Sequence, residues 1–361
     1  MKLLITGHQG YIGSVAISVL QAAGHEVVGL DTGLFEGCDF GRLGPGVPEL
    51  RRDLRDLHKG DLAGFEGVIH FGALSNDPLG NLDPKLTYDI NHLSSVHLAE
   101  LAKAAGVKRF VFSSSCSTYG AAGDAILDER AALNPVTAYG ESKVLAERGI
   151  ASLADDSFSP VFMRNATAYG VSPRLRLDIV LNDLVASAFT TGKVSIKSDG
   201  TPWRPIVHIR DIIAAALAIL EAPREAIHNE TFNVGRTDQN YRISELATIV
   251  AETVPGCQIE YARGGGPDTR CYRVNCDKIQ RVVPRFQPQW TARQGAKELY
   301  QAYQAMRLTK KDLEDGKYIR MVHIHRLQTA GLLDGSLRWR LPQYGNSFLN
   351  PSTEHPEEPV S

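Results

Sequence analysis

The sequence predicts an α/β protein: a doubly wound parallel sheet with a smaller mixed α/β lobe on its C-terminal side. Three observations carry this. Short apolar runs alternate with stretches of helical periodicity from the first residues to about Phe158, as expected for strands buried on both faces. Three glycines, Gly7, Gly10 and Gly13, stand between the first apolar run, "KLLIT", and the first helical stretch. After "SPVFMRN" the alternation becomes irregular, so a second lobe is expected there.

The elements follow in order. Lys2–Thr6 is a strand and Tyr11–Ala23 a helix. Glu26–Asp31 ("EVVGLD"), Gly67–Phe71 ("GVIHF") and Arg109–Ser114 ("RFVFSS") are further strands. Lys85–Ala105 reads as one long helix and Ala138–Leu153 as another. Helices are then expected near Asp178–Thr190, Ile209–Glu221 and Ile243–Thr253. Short strands are expected near Val194–Lys197, Thr231–Val234 and Gln258–Tyr261. The resulting division is 1–165, a parallel-sheet domain to which some later segments return; 166–292, mainly a smaller mixed lobe; 293–345, a helical charged extension; and 346–361, a polar, proline-rich flexible tail. Within the extension, "VHIH" (His323 and His325) reads as an alternating, strand-like stretch rather than a metal pair.

Composition narrows the function classes. The chain has 361 residues, 43% hydrophobic and 22% charged, with a formal net charge of -2. That overall balance does not point to a nucleic-acid binder, a local basic patch aside. No apolar run has membrane-spanning length, and the N-terminus carries no signal-peptide pattern. Five cysteines without framework spacing read as a reduced, cytoplasmic setting. Cys271 and Cys276 find no zinc-like partner pair, so no metal is expected.

The glycines mark a Rossmann-type strand–turn–helix. Gly7 permits a tight turn, Gly10 a close approach and Gly13 the packing of helix on strand, so that a pyrophosphate can reach the helix N-terminus. Asp31 ends the second strand, where an acid can hold both hydroxyls of an adenosine ribose. It repels a 2′-phosphate, and no arginine follows in "DTGLF", so NAD is favoured over NADP. A plain turn with a surface aspartate is the alternative. Tyr139 and Lys143, in "AYGESK", share one helix face. A phenol titrates near about 10, too high for a base at neutral pH. A nearby ammonium and a positive nicotinamide would lower it; about 3 units corresponds to roughly 4 kcal/mol. The same spacing also suits an ordinary exposed helix face. Ser115, in "FVFSSSCSTYG", stands where doubly wound sheets hold ligands, although a serine run also reads as a cap.

Together "TGHQGYIG", Asp31, "SSSCSTYG" and "YGESK" resemble the extended short-chain dehydrogenase/reductases that act on nucleotide sugars. The resemblance covers roughly residues 1–290 and continues through "TPWRPIVHIRDI", "FNVG" and "DTRCYRVNCDKI". It implies Ser115, Tyr139 and Lys143 as catalytic residues. It implies a cofactor site of Gly7, Gly10, Tyr11, Ile12, Gly13 and Asp31, with Asp53 and Leu54 at the adenine, Phe71, Gly72 and Ala73 beside the fourth strand, and Asn91, Ser113, Tyr139 and Lys143 nearby. For substrate it implies Ser75, Ser115, Cys116, Ser117, Thr167, Arg176, Asp178, Arg204 and Arg270, the last two arginines gripping a pyrophosphate. Thr167 departs from the asparagine many relatives carry there.

Dehydratases of this type carry an Asp–Glu pair after the serine. Here Cys116 and Ser117 stand instead, and "SCSTYG" is closer to the "TCATYG" of 4-epimerases. The expected activity is therefore an NAD-dependent nucleotide-sugar 4-epimerase. Tyr139 takes the 4-hydroxyl proton, NAD carries the hydride, and a transient 4-keto sugar turns over. A 4-ketoreductase or dehydrogenase is the alternative, followed by a dehydratase, a decarboxylase or a non-catalytic dinucleotide sensor; sensors often lose the Tyr or Lys, and both are present here. The resemblance also implies a homodimer through the helices equivalent to Lys85–Ala105 and Ala138–Leu153.

Overall fold

Alternation along Lys2–Thr6 sends Leu3 and Ile5 to one face and Leu4 to the other, and all three are wholly buried. A strand apolar on both sides needs cover on both sides. The computed structural model, which describes residues 1–42, 44, 46–261 and 271–340, provides it with a sandwiched seven-stranded sheet. The spatial order is Thr231–Val234, Ser159–Asn165, Arg109–Ser115, Gly67–His70, Lys2–Thr6, Glu26–Asp31 and Glu49–Arg51. Every neighbouring pair is parallel.

Two apolar layers close over this sheet. Leu3, Ile5, Ile69, Val111 and Met163 pack against Ala16, Ile17 and Leu20 of the helix Gly13–Ala22 and Ile212, Ile213 and Ile219 of the helix Ile209–Glu221. On the other face Leu4, Val68, Phe110 and Phe112 meet Leu98 and Ala102 of Ser94–Ala104 and Ala146 and Ile150 of Ala138–Ala151. The chain lays its second and third strands to one side of the first, then returns to the other side. That reversal leaves a crevice between the C-terminal ends of Lys2–Thr6 and Gly67–His70, the switch point where such sheets take ligands.

A second core lies beyond. The helices Val180–Thr191, Ile243–Thr253 and Ala292–Ala305 bury Leu181, Leu184, Leu246, Val250, Ala296 and Leu299 together. Small sheets flank it: Asn240–Arg242, Trp203–His208 and Thr167–Tyr169; Gln258–Tyr261 with Lys193–Ile196; and Cys271–Val274 with Ala121–Leu127. Several of these short strands escape sequence reading, because three or four residues carry too little periodicity. Among the described residues no helix is long and apolar enough to cross a membrane.

Three elements differ from expectation. The first helix opens at Gly13, since Tyr11 and Ile12 remain in the turn. The long helix read over Lys85–Ala105 is Pro84–Thr87, a π-helical stretch Tyr88–Leu93, and Ser94–Ala104. His323 and His325 lie on a helix, Arg320–Thr329, not on a strand; the buried Ile324 between them supplies the apolar alternation that misleads. That helix and the turn after it rest on the loops above the crevice, joining Ile324, Leu333 and Leu337 to Leu74, Leu79 and Leu86.

Candidate active site

The glycine turn is a cradle that side chains would fill. Gly7 sits at φ +70°, and its N–H donates to the Leu30 carbonyl at 2.8 Å. A Cβ on Gly7 would lie 2.8 Å from the Gly72 nitrogen, and one on Gly13 only 2.1 Å from the Gly7 oxygen. The helix that starts at Gly13 has no side-chain cap, so its leading N–H groups can serve an anion. The Tyr11 hydroxyl turns away and donates to the Gly170 carbonyl at 2.7 Å, tying the turn to the second lobe. Asp31 accepts from the backbone N–H groups of Gln9 at 3.0 Å and Gly33 at 2.9 Å, which fixes its carboxylate at the cleft wall. Asp53 and Leu54 also line the cleft. Burial pushes the Asp53 carboxyl up, but the hydrogen bonds and charge of Arg55 outweigh it and hold it below its ordinary value.

The floor is set by a chain of hydrogen bonds. Thr6 Oγ1 accepts from Gly72 N–H, so its proton goes to His70 Nδ1 at 2.6 Å. Ser95 Oγ donates to the Asn91 carbonyl, so it accepts from His70 Nε2 at 2.8 Å. His70 is thus a neutral imidazole, and burial pushes it down to about 3. Asn91 does not line the cleft. Its amide accepts from Leu74 N–H at 2.8 Å and donates to Leu74 O at 3.1 Å, clamping the loop that follows Phe71, Gly72 and Ala73 from behind. The expected direct cofactor contact of Asn91 gives way to this positioning role.

Ser115 ends its strand at the crevice, and its Oγ accepts from Ser117 N–H at 3.1 Å. Tyr139 lies in the first turn of Ala138–Ala151, a helix capped by Thr137, whose Oγ1 accepts from Gly140 N–H at 3.1 Å. The Tyr139 phenol and Ser115 line the cleft together, and the serine's influence favours the ionised phenol. One turn on, the Lys143 ammonium donates to the Ser113 carbonyl at 2.8 Å and stands 5.9 Å from the Tyr139 ring centre. The protein alone does not lower the phenol as expected. Burial first, and then the nearby Asp77 carboxylate, push Tyr139 up to about 12. Burial lowers Lys143 to about 8, against an opposing pull from Glu147.

At the far end of the cleft stand Ser117, Thr167 and Arg204. Arg204 is buried, and its Nη1 donates to the Trp203 carbonyl at 2.8 Å. Arg176 spans the middle, donating to Asp178 at 2.9 and 3.1 Å and to Ser75 Oγ at 3.1 Å. Cys116 does not reach the cleft. It is wholly buried, its thiol donates to the Arg164 carbonyl at 3.1 Å, and it packs with Tyr119, Tyr272 and Cys276. The tight turn after the strand rotates it inward, so the expected substrate contact of Cys116 is replaced by a core contact. Arg270 lies outside the described residues.

Among the cleft residues that sequence reading misses, four bear on the chemistry. Asn165 lines the cleft with its Nδ2 on Ser113 Oγ at 2.9 Å and its buried Oδ1 without a partner. Its place at the C-terminal end of a buried strand, in "MRNATAYG", was a usable signal. Asp77 follows Asn76, whose side chain caps a short turn at Leu79. Arg320 and Leu337 come from the C-terminal extension and carried no signal, since their site exists only in three dimensions.

The arrangement fits a dinucleotide. The glycine cradle and uncapped helix suit a pyrophosphate, Asp31 suits ribose hydroxyls, and the buried Oγ of Ser117 and Oδ1 of Asn165 lack partners that a polar ligand would supply. Residues 3–235 match the profile of the NAD dependent epimerase/dehydratase family. The UDP-glucose 4-epimerase of Corynebacterium glutamicum is 30% identical over 288 residues, 74% of this chain and 86% of the relative. That of Lactobacillus helveticus is 30% identical over 295 residues, 74% of this chain and 87% of the relative. Among solved structures, MoeE5 in complex with UDP-glucuronic acid and NAD superposes with a TM-score of 0.73 at 26% identity, covering 84% of this chain and 99% of that one.

Proposed function

The chain belongs to the NAD-dependent epimerase/dehydratase family, and from that premise we propose that it is a nucleotide-sugar 4-epimerase acting on a uridine diphosphate sugar. One observation carries the reaction. Tyr139 and Ser115 face the cleft together beside a buried Lys143, while the positions after Ser115 hold Cys116 and Ser117 and offer no carboxylate pair to remove water. The relatives named UDP-glucose 4-epimerase support the nucleotide and the reaction.

Bound NAD would rest on Gly7, Gly10, Ile12, Gly13, Asp31, Asp53, Leu54, Phe71, Gly72 and Ala73, and it supplies a hydride acceptor at C4 and a positive ring that lowers the phenol's pKa. Tyr139 takes the proton of the sugar 4-hydroxyl and later returns it. Ser115 donates to the same oxygen through both steps, where charge develops. Lys143 keeps positive charge under the phenol and, pinned to the Ser113 carbonyl, holds its helix turn in place. Arg204 anchors the diphosphate end and Arg176 lines the sugar pocket, so that the 4-keto sugar can turn over without leaving. Lys143 is buried and Tyr139 partly so, which keeps bulk water from the reacting oxygen.

The same reading takes residues 1–165 as the cofactor domain, 166–292 as mainly the substrate lobe, and a cytoplasmic homodimer as the working form. Leu93, 56% exposed beside the helix Ser94–Ala104, is an apolar side chain such a pairing would cover; light scattering giving a monomer mass at micromolar concentration would remove the dimer. For the reaction, a panel of nucleotide sugars deuterated at C4 is incubated with the protein and followed by NMR. Inverted product that keeps its label, formed without added reductant, is expected. One NADH consumed per product means a reductase, and a 4-keto-6-deoxy product means a dehydratase; either overturns the reading.

A further inference from the structure

Arg320 opens the helix Arg320–Thr329 of the C-terminal extension, is 2% exposed, and lines the cleft. Its Nη2 donates to the Arg174 carbonyl at 3.0 Å, and its guanidinium lies 4.1 Å from the Phe35 ring centre. Its Nη1 is buried without a hydrogen-bond partner. The two neighbouring arginines are neutralised, Arg174 by Asp39 and Arg176 by Asp178. Among the described residues no carboxylate forms an ion pair with Arg320; Asp178, already paired with Arg176, acts on it only at longer range. A buried guanidinium with an unanswered N–H is costly unless an anion completes it.

We propose that Arg320 binds the diphosphate of the bound dinucleotide. The groups around it choose the cofactor over the sugar nucleotide. Phe35 and Cys38 belong to the segment that leaves Asp31, and His323, one turn on from Arg320, hydrogen-bonds to the Leu34 carbonyl at 2.9 Å. The rest of the extension follows that segment. Trp339 donates to the Thr32 carbonyl at 2.7 Å, and Arg338 pairs with Asp56, beside Asp53. Leu337, held at φ +60° in a turn organised by the Asp334 carboxylate, puts its side chain into the cleft. A non-glycine residue in that conformation persists only where its surroundings enforce it. Arg204, the arginine of the substrate end, comes from a different strand, Trp203–His208. Burial lowers Arg320 only to about 10, so it remains a cation at neutral pH.

The proposal rests on the dinucleotide part of the reading above and not on epimerisation. The test measures equilibrium binding of ADP, adenosine, NAD and UDP to the nucleotide-stripped full chain. Arg320→Met is expected to weaken ADP and NAD about 10- to 100-fold, the worth of a charge-assisted hydrogen bond, with adenosine and UDP changed by less than about twofold. Arg320→Lys, which keeps the charge and loses the planar fork, should recover part of the ADP affinity. If Arg320→Met does not fold, the ADP-to-adenosine ratio of Arg320→Lys decides. Equal losses for ADP and adenosine would mean a structural role. A loss for UDP instead of ADP would move Arg320 to the substrate. Unchanged binding, even in an active epimerase, would also overturn the proposal. A protein that binds NAD and does not epimerise leaves the ADP split to stand on its own.

Discussion

Glu147→Gln probes the joint that holds the site together. The Glu147 carboxylate accepts from Arg164 Nε at 3.1 and 3.2 Å and from Nη2 at 2.7 Å, and the Ser114 hydroxyl donates to it as well. Both charged side chains are 7% exposed. Ser114 precedes Ser115, and Glu147 lies one turn beyond Lys143, so one carboxylate ties the strand end to the catalytic helix. Glutamine keeps the shape and removes the charge. Arg164 is left buried with neutral acceptors, the Tyr119 hydroxyl at 3.1 Å and the Glu129 carbonyl at 3.2 Å. Breaking one side of such a pair costs about 3–5 kcal/mol. At about 2.1 cal/mol/K per residue, 361 residues give an unfolding entropy of about 0.76 kcal/mol/K. Calorimetry should therefore show Tm falling by about 4–7 °C. Arg164→Met should cost a similar amount, and the double variant less than the sum, because no charge is then stranded. Turnover should fall more than KM rises, since Ser115 and Tyr139 lose registry. A Tm change under about 1 °C, or additive losses, would refute the reasoning.

Tyr139→Phe should retain NAD, measured in the supernatant of denatured protein, and lose roughly 10²–10⁴ in turnover; near-normal turnover would free Tyr139 of its role. Burial brings Lys143 down to about 8, so it is charged below that pH and neutral above it. Turnover should decline as pH rises through about 8, and the decline should vanish from the residual activity of Lys143→Arg, which stays charged; a flat wild-type profile from about pH 6 to about pH 10 would count against this. Gly13→Ala places a Cβ 2.1 Å from the Gly7 oxygen, so the turn must move, at about 1–3 kcal/mol, and the purified protein should carry less NAD; full NAD content would show that the cradle tolerates the change.

Much of the cofactor half is legible in the sequence because its signals are local. Gly7, Gly10 and Gly13 sit within one turn, Asp31 closes a strand whose bounds Glu26–Asp31 are read correctly, and Tyr139 and Lys143 are one helical turn apart. What escapes is set by distance and direction. Cys116 stands next to Ser115 in sequence, yet the turn sends one side chain to the cleft and the other to the core. The π-helical stretch Tyr88–Leu93 repeats no period long enough to betray itself, although it aims Asn91 at Leu74. The phenol of Tyr139 is expected low from a nearby ammonium, but burial and the Asp77 carboxylate raise it. Arg320 meets its surroundings only after the whole chain has folded.

The Trp339–Thr32 contact joins residues 307 positions apart. At a synthesis rate of about 5–20 residues per second, residue 339 follows residue 32 by about 15–60 s. The Gly7–Gly13 turn and the sheet that supports it can form during that interval with the extension still unmade. The cleft is therefore completed in two stages, its glycine turn early and the wall that carries Arg320 and Leu337 last.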